Sequence, residues 1–154
     1  MQSAQLERYL HDHIPLSAAM GVSALQAAED CVVLSAPLAP NINHRDTVFG
    51  GSASALAILA AWSLVHVRLA HSGASYRIVI QRNQIEYTEP MLGEFVASAS
   101  LVDAESWDRF LKLLTRRGRA RVRVGVVLRS EGVEAARFEG DFVAIDTDRI
   151  RAVG

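Results

Sequence analysis

The run from Ala53 to Val65 carries no charged side chain and limits what this chain can fold into more than any other segment. A helix that is apolar on nearly every side must be buried, either in protein or in lipid. The run is shorter than the roughly 20 residues that cross a bilayer, and His66 and Arg68 follow it directly. The sequence therefore predicts a helix enclosed by the rest of a globular domain.

Size and composition are consistent with that prediction. The chain has 154 residues, half of them hydrophobic, and a formal net charge of −1. These values favour one domain over residues 1–154 and argue against disorder and nucleic-acid binding. The single cysteine, Cys31, excludes an internal disulfide and fits a reducing compartment. The first residues, "MQSAQLERYLHDH", do not resemble a secretory leader, so we expect a cytoplasmic protein.

Apolar periodicity divides the remaining chain into two helices and six strands. Leu6, Tyr9, Leu10 and Ile14 recur at helical spacing and predict a short amphipathic helix that ends at "IPLS". "SWDRFLKLL" predicts a second short helix. Glu29-Asp30 is expected to form a tight turn between the first two strands. The strands are expected at about Gly21–Ala28, Cys31–Pro37, Ser75–Pro90 and Glu94–Val102, in "RARVRVGVVLR" and in "ARFEGDFVAI".

The order of these elements predicts a curled antiparallel sheet around the apolar helix. Strands joined mainly by turns form antiparallel sheets, and one sheet buries such a helix only by curling around it. This is the hotdog architecture, an α+β fold, and we expect a second subunit to complete the burial. In the long strand Tyr76, Ile78 and Ile80 share one face, but Ile85 and Tyr87 fall on the opposite parity. That reversal predicts a bulge near Arg82-Asn83.

The five histidines have no metal-ligand spacing, and no metal site is predicted. His11 and His13 are two residues apart on a helix and point in different directions. "GGSAS" lacks the glycine and the preceding strand of a nucleophile elbow, and no stretch matches a phosphate-binding loop.

The junction between the polar loop and the apolar helix is the strongest candidate site. A helix N-terminus presents unpaired N–H groups and a partial positive charge. Gly50 and Gly51 are expected to keep this end free of side chains, so that a ligand oxygen can approach. Helix capping with a tight turn explains the same residue types. The loop supplies these hydrogen-bonding side chains: Asn41, Asn43, Asp46 and Thr47.

Three segments resemble one hotdog family over essentially the whole chain. "SAPLAPNIN", "TVFGGS" and Trp62 are similar to a family first labelled as thioesterases, which occurs alone or behind an N-acetyltransferase domain. Its characterised members are malonyl-acyl-carrier-protein decarboxylases. The resemblance places the catalytic-loop asparagine at Asn43 and the loop threonine at Thr47. The helix-start glycine and the following serine fall on Gly51 and Ser52.

The chain departs from that family at two places that bear on the shape of the acyl pocket. Ser54 stands where members usually carry an aromatic residue, and Ala60-Ala61 stands where they carry a Thr-Gly pair.

The residues fit decarboxylation better than hydrolysis. Hydrolysis needs a base or nucleophile, but no acid occurs between Thr47 and Arg68, which leaves Asp46 or a partner's Glu86 or Glu89. Loss of CO2 from a malonyl thioester instead needs donors for an enolate oxygen, which the Asn43 amide and the Gly51 N–H are expected to supply. Apolar walls from Val48, Phe49 and the helix would disfavour the charged carboxylate.

Arginines after the second helix are candidates for binding the substrate's handle, although they also suit a solvated strand face. Arg119, Arg121 and Arg123 alternate on one face, just after Arg116 and Arg117. The functional interpretation is docking of an acidic carrier protein, which the resemblance favours, or of the phosphates of coenzyme A. No cofactor is expected beyond the phosphopantetheine arm that arrives with the substrate. A non-catalytic acyl-binding protein remains the alternative from another class.

Overall fold

The computed structural model describes residues 1–153, which contain five α-helices and six strands. The helices are α1 (Ser3–His13), α2 (Pro15–Ala19), α3 (Gly50–Leu69), α4 (Ser106–Arg117) and α5 (Thr147–Val153). The strands are β1 (Ser23–Ala27), β2 (Val32–Ala36), β3 (Tyr76–Tyr87), β4 (Phe95–Leu101), β5 (Arg119–Ser130) and β6 (Val133–Asp146). Short 3₁₀ turns occupy Ala39–Asn41 and Ala70–Ser72.

One antiparallel sheet wraps around α3, so the predicted hotdog architecture is confirmed. Its strand order is β1-β2-β4-β5-β6-β3, and every neighbouring pair is antiparallel. Strict alternation along β5 places Val122, Val124 and Val126 in the core and the intervening arginines outside. The fully buried aromatic residues of the core are Phe95, Phe110, Phe138 and Phe142.

The central helix has one face that the sheet does not cover, as expected for a single subunit. Its half-exposed residues recur every four positions, at Ser54, Ile58, Trp62 and His66. The Trp62 indole N–H donates to the Ile78 carbonyl at 3.0 Å and ties the helix to β3. The segment Gly50–Ser72 is long and apolar enough to span a membrane, but 61% of its most apolar window is buried inside the fold. It is the core helix of this domain.

An aromatic stack covers the far end of that face. The Tyr9 ring lies 4.6 Å from the His66 ring, which lies 4.8 Å from the indole of Trp62. Burial lowers the pKa of His66, and the nearby His13 lowers it further. The stack therefore holds a neutral imidazole at neutral pH.

The strand β3 forms one edge of the sheet and has an unpaired side. Among the described residues it pairs only with β6, and its register shifts between Ile80 and Arg82, so that Gln81 is the extra residue. The bulge lies one position before the predicted Arg82-Asn83. It returns Ile85 to the inner face, and exposed apolar side chains such as Val79 remain along the strand.

Each end of the chain carries a short helix that was not predicted. The N-terminal helix ends at "IPLS" as predicted, because Pro15 cannot continue it, and Pro15 instead begins the additional helix α2. The C-terminal helix α5 was not predicted. Its Arg149 guanidinium donates to the carbonyls of Thr115 and Arg116, and so caps the C-terminus of α4.

Candidate functional site

Asn43 organises the loop that leads into α3. Its Oδ1 accepts hydrogen bonds from the backbone N–H groups of Arg45, at 2.8 Å, and Thr47, at 3.2 Å. Its Nδ2 donates to Thr47 Oγ1 at 2.9 Å and lies 3.4 Å from the Val48 carbonyl oxygen. The last distance exceeds the normal range for a hydrogen bond. One Nδ2–H is therefore firmly engaged, and the other is only weakly held.

The carboxylate of Asp46 lies at the exposed tip of this loop. Its backbone has φ 63°, the left-handed conformation that aspartate tolerates better than most residues. Its side chain makes no hydrogen bond within the part of the chain that the structure describes. The geometry thus gives Asp46 a role in the turn and shows no group that would orient it as a base.

The first turn of α3 presents three backbone N–H groups without acceptors among residues 1–153. They belong to Gly50, Gly51 and Ser52, while the next amide, that of Ala53, donates to the Phe49 carbonyl at 3.1 Å. Phe49 is the N-cap residue and supplies no capping side chain. Unpaired donors at the positive end of a 20-residue helix are able to donate to an anionic oxygen.

The two glycines at this end do not leave open space, contrary to the sequence-based expectation. A Cβ on Gly51 would lie 2.3 Å from Cε1 of Phe49, so the exposed Phe49 ring packs directly against this glycine. At Gly50 the nearest atoms belong to Tyr87, whose hydroxyl donates to the Gly50 carbonyl at 2.8 Å. Two aromatic side chains therefore flank the free N–H groups.

Asn41 was predicted to bind substrate, and the structure places its side chain inside the fold. The residue is 2% exposed, and its Nδ2 donates to the carbonyls of Met20 and Pro37. Its backbone carbonyl accepts the Phe49 N–H at 2.8 Å. These contacts anchor the loop on both sides of the helix start.

Tyr87 is a site residue that the sequence analysis missed. The parity reversal along β3 was visible in the sequence and places Tyr87 on the inner face of the strand. Its contact with Gly50 was not visible there, because the two residues are far apart in the chain. Glu86 precedes Tyr87 in β3 and therefore lies on the opposite face of the strand. That a partner subunit contributes Glu86 or Glu89 as a base stays a prediction.

Four of the five candidate arginines, all except Arg123, lie at the other end of the sheet. Arg119 pairs with Ile145, which pairs with Arg77 near the start of β3. Leu128 lies at the end of β5 that is nearest the helix start, because it pairs with Ala136 of β6, which pairs with Tyr87 of β3. Nine strand residues at about 3.3 Å each separate Arg119 from Leu128, roughly 30 Å. The same distant end contains Arg116 and Arg117, at the C-terminus of α4, and Arg121 on β5.

Arg123 differs from its neighbours on β5 because it is bound to a buried carboxylate. Its guanidinium donates to Asp141 at 2.9 and 3.4 Å, and the Asp141 side chain is 5% exposed. The hydrogen bond from Arg123 lowers the pKa of Asp141, against the opposing effect of burial. This pair fastens β5 to β6 on the outer face.

Comparison with known proteins identifies a family. A model of the family described as "Putative thioesterase (yiiD_Cterm)" matches residues 3–146.

Solved structures share the fold over nearly their whole length. A "putative thioesterase" from Shewanella oneidensis is 29% identical, with TM-score 0.83 and 93% of this chain and 96% of that chain covered. A protein of unknown function from Chlorobaculum tepidum TLS is 27% identical, with TM-score 0.87 and 94% of each chain covered. A third, from Pseudomonas aeruginosa, is 23% identical with TM-score 0.79 and coverages of 93% and 95%, and shows the fold alone.

Proposed function

Because this chain belongs to the family described as "Putative thioesterase (yiiD_Cterm)", an acyl-thioester family of hotdog enzymes, we propose a specific reaction on such a thioester. The proposed reaction is decarboxylation of malonyl-acyl carrier protein to acetyl-acyl carrier protein, which supplies fatty acid synthesis in the cytoplasm.

One observation carries this proposal: the helix start combines free donors with a lack of carboxylates. Three unpaired N–H groups begin α3, and the loop that leads into them carries a weakly held Asn43 Nδ2–H, whereas α3 contains no acidic residue. Decarboxylation breaks the bond between the α-carbon and the carboxylate. The electron pair remains as an enolate on the thioester oxygen until the carbon takes a proton from water. This step needs oxyanion donors and no activated water.

The named residues divide the work. The Gly51 N–H and the Asn43 amide would stabilise the enolate oxygen, while Gly50 and Ser52 N–H groups extend the positive helix end. Thr47 holds the Asn43 amide through its Oγ1. The Phe49 ring, over Gly51, would shield the substrate carboxylate from water and so favour its loss as neutral CO2.

Hydrolysis is the second candidate, and the family description favours it. It would require Asp46 to leave its exposed position and activate water, since α3 supplies no carboxylate. A non-catalytic acyl-binding protein would use the same apolar helix face without turnover.

A homodimer, or a dimer of dimers, is part of the proposal. The 12-residue edge strand β3 has a free row of backbone groups and exposed apolar residues, including Val79 and Ile80. Such an edge pairs readily with another strand, and pairing with a second copy would also cover the half-exposed face of α3.

Mass spectrometry of the purified protein with malonyl and acetyl thioesters tests the reaction. We expect malonyl-acyl carrier protein to become acetyl-acyl carrier protein with a loss of CO2 and retention of the thioester. Release of free thiol without decarboxylation would establish the hydrolase instead. No change in either thioester would leave the acyl-binding protein.

A further inference from the structure

We propose that the arginines at the start of β5 serve the active site of the other subunit, where they dock an acidic carrier protein. This inference rests on the proposed function and assigns the docking surface for its substrate. The surface consists of Arg117, Arg119 and Arg121 with Gln81 and is called the arginine depression below.

The arginine depression is an open concavity of about 470 Å³, lined by Gln81, Arg117, Arg119, Ala120, Arg121 and Val143. Within residues 1–153 its arginines form no ion pair, and Arg121 makes one long contact, 3.4 Å from Nη1 to Gln81 Oε1. Arg123, two residues further along, is by contrast neutralised by Asp141. Three unpaired guanidinium groups converge on one depression that has no acidic residue in its lining.

The arginine depression cannot act on the site of its own chain by direct contact. It lies at the end of the sheet where Tyr76 pairs with Asp146, whereas Gly50 contacts Tyr87 at the opposite end. The separation of roughly 30 Å along β5 is set by the strand rise. A thioester arm anchored there would have to run the length of the sheet.

Pairing of β3 with a second copy brings the depression close. Two copies of one edge related by a two-fold axis pair antiparallel. With full overlap, Tyr87 of one chain lies beside the Tyr76 end of its partner's β3. The partner's β6 and β5 follow at about 4.8 Å spacing, so its arginine strand lies about 14 Å from the first chain's β3. That distance is about half of the separation within one chain.

The chemistry of the depression fits an acidic protein that carries a phosphodiester-linked thioester. Arginine binds carboxylates and phosphates through paired hydrogen bonds, and clustered unpaired arginines attract acidic partners over long range. Each carrier protein would then rest on one subunit and place its acyl group in the site of the other.

Mixed dimers test this arrangement directly. One chain carries Asn43→Asp, which removes the donor in its own site, and the other carries Arg119→Glu with Arg121→Glu; different affinity tags allow the mixed dimer to be purified. Each variant alone should be at least 10-fold slower on malonyl-acyl carrier protein. In the mixed dimer, the chain with the arginine substitutions keeps Asn43, and its partner keeps the arginines that serve that site. One of the two sites is therefore intact, and about half of the wild-type rate should return. Failure of the purified mixed dimer to recover activity would overturn the proposal.

A matched control separates docking in trans from a general effect of charge. Arg129 lies on the same strand and the same outer face, but at the end next to its own site. Arg129→Glu should leave the rate within about twofold of wild type, whereas a loss equal to that of Arg119→Glu would favour docking in cis and contradict the proposal. Activity on coenzyme A thioesters that falls equally in the Arg119 variant would assign the depression to the nucleotide phosphates instead of a carrier protein.

A readout without catalysis distinguishes this inference from the proposed reaction. In a Cys31→Ser background, spin labels are placed at Arg45→Cys of one chain and Arg117→Cys of the other. A spin–spin distance that is distinctly shorter between chains than within one chain supports the arrangement even if no thioester is turned over. A shorter distance within the chain refutes it, while an inactive wild-type protein with the expected distances refutes only the reaction.

Discussion

Replacing Asn43 by aspartate separates the two roles of this side chain. Its Oδ1 accepts the Arg45 and Thr47 N–H groups and shapes the loop, while its Nδ2 donates. An aspartate at this position keeps the accepting oxygen and loses only the donors. Alanine loses both.

The expected magnitudes follow from these contacts. Loss of one oxyanion donor costs about 10²–10³ in rate. A new carboxylate about 4 Å from the enolate oxygen adds repulsion of up to about 4 kcal/mol at an effective dielectric constant of 20. Asn43→Ala should therefore fall about 10²–10³-fold and Asn43→Asp further. For stability the order is opposite: Asn43→Ala leaves the loop N–H groups without acceptors and costs about 1–3 kcal/mol, whereas Asn43→Asp retains those bonds.

Initial rates by mass spectrometry and thermal melts of both variants check this inversion. Asp46→Asn and Asp46→Gly are the matched controls, because both residues tolerate φ 63° and neither has a carboxylate. Both controls should stay within about 10-fold of wild type. An inactive Asp46→Asn next to a nearly normal Asn43→Ala would refute the decarboxylase mechanism and support hydrolysis.

Three further outcomes are expected. Gly51→Ala should destabilise the fold by about 1–3 kcal/mol, because its Cβ meets the Phe49 ring, and the added change Phe49→Ala should restore the melting temperature; no restoration would show that the ring is not the obstacle. Because the pKa of Asp141 is depressed, its pair with Arg123 stabilises the fold above about pH 4, and this contribution is lost as pH falls through the folded pKa. The difference in unfolding free energy between wild type and Asp141→Asn should therefore shrink in denaturant titrations below pH 4. A constant difference contradicts this role of the pair. Sedimentation at micromolar concentration should give a dimer or tetramer, and a clean monomer contradicts pairing through β3.

Local pattern predicted most of the fold because each element follows from one period. The alternation of Val122, Val124 and Val126 defines β5, and the parity reversal after Ile80 located the bulge to within one residue. The end of the first helix at "IPLS" was predicted, but the five-residue helix α2 that Pro15 begins is too short to show a period of its own. The helix α5 is short and polar, and its placement depends on the distant cap that Arg149 provides.

The candidate site was predictable as a segment but not as a geometry. Loop composition pointed to Asn43 and Gly51, yet the reason for glycine at position 51 is a neighbouring ring, which spacing does not reveal. Periodicity likewise shows which face the arginines occupy, but only the strand register shows at which end of the sheet they lie. It also could not distinguish Arg123, which is bound by Asp141, from the unpaired Arg121.

The extra residue at Gln81 has a consequence for how this chain can vary in length. Ile80 pairs with Phe142 and Arg82 with Asp141, which are consecutive in β6, so deleting Gln81 would close the bulge and leave the remaining side chains of β3 on their present faces. An added residue in the second half of the strand would instead turn Tyr87 outward and remove it from Gly50. Among descendants of this sequence, the spacing between that isoleucine and that tyrosine should therefore shorten by one residue more readily than it lengthens.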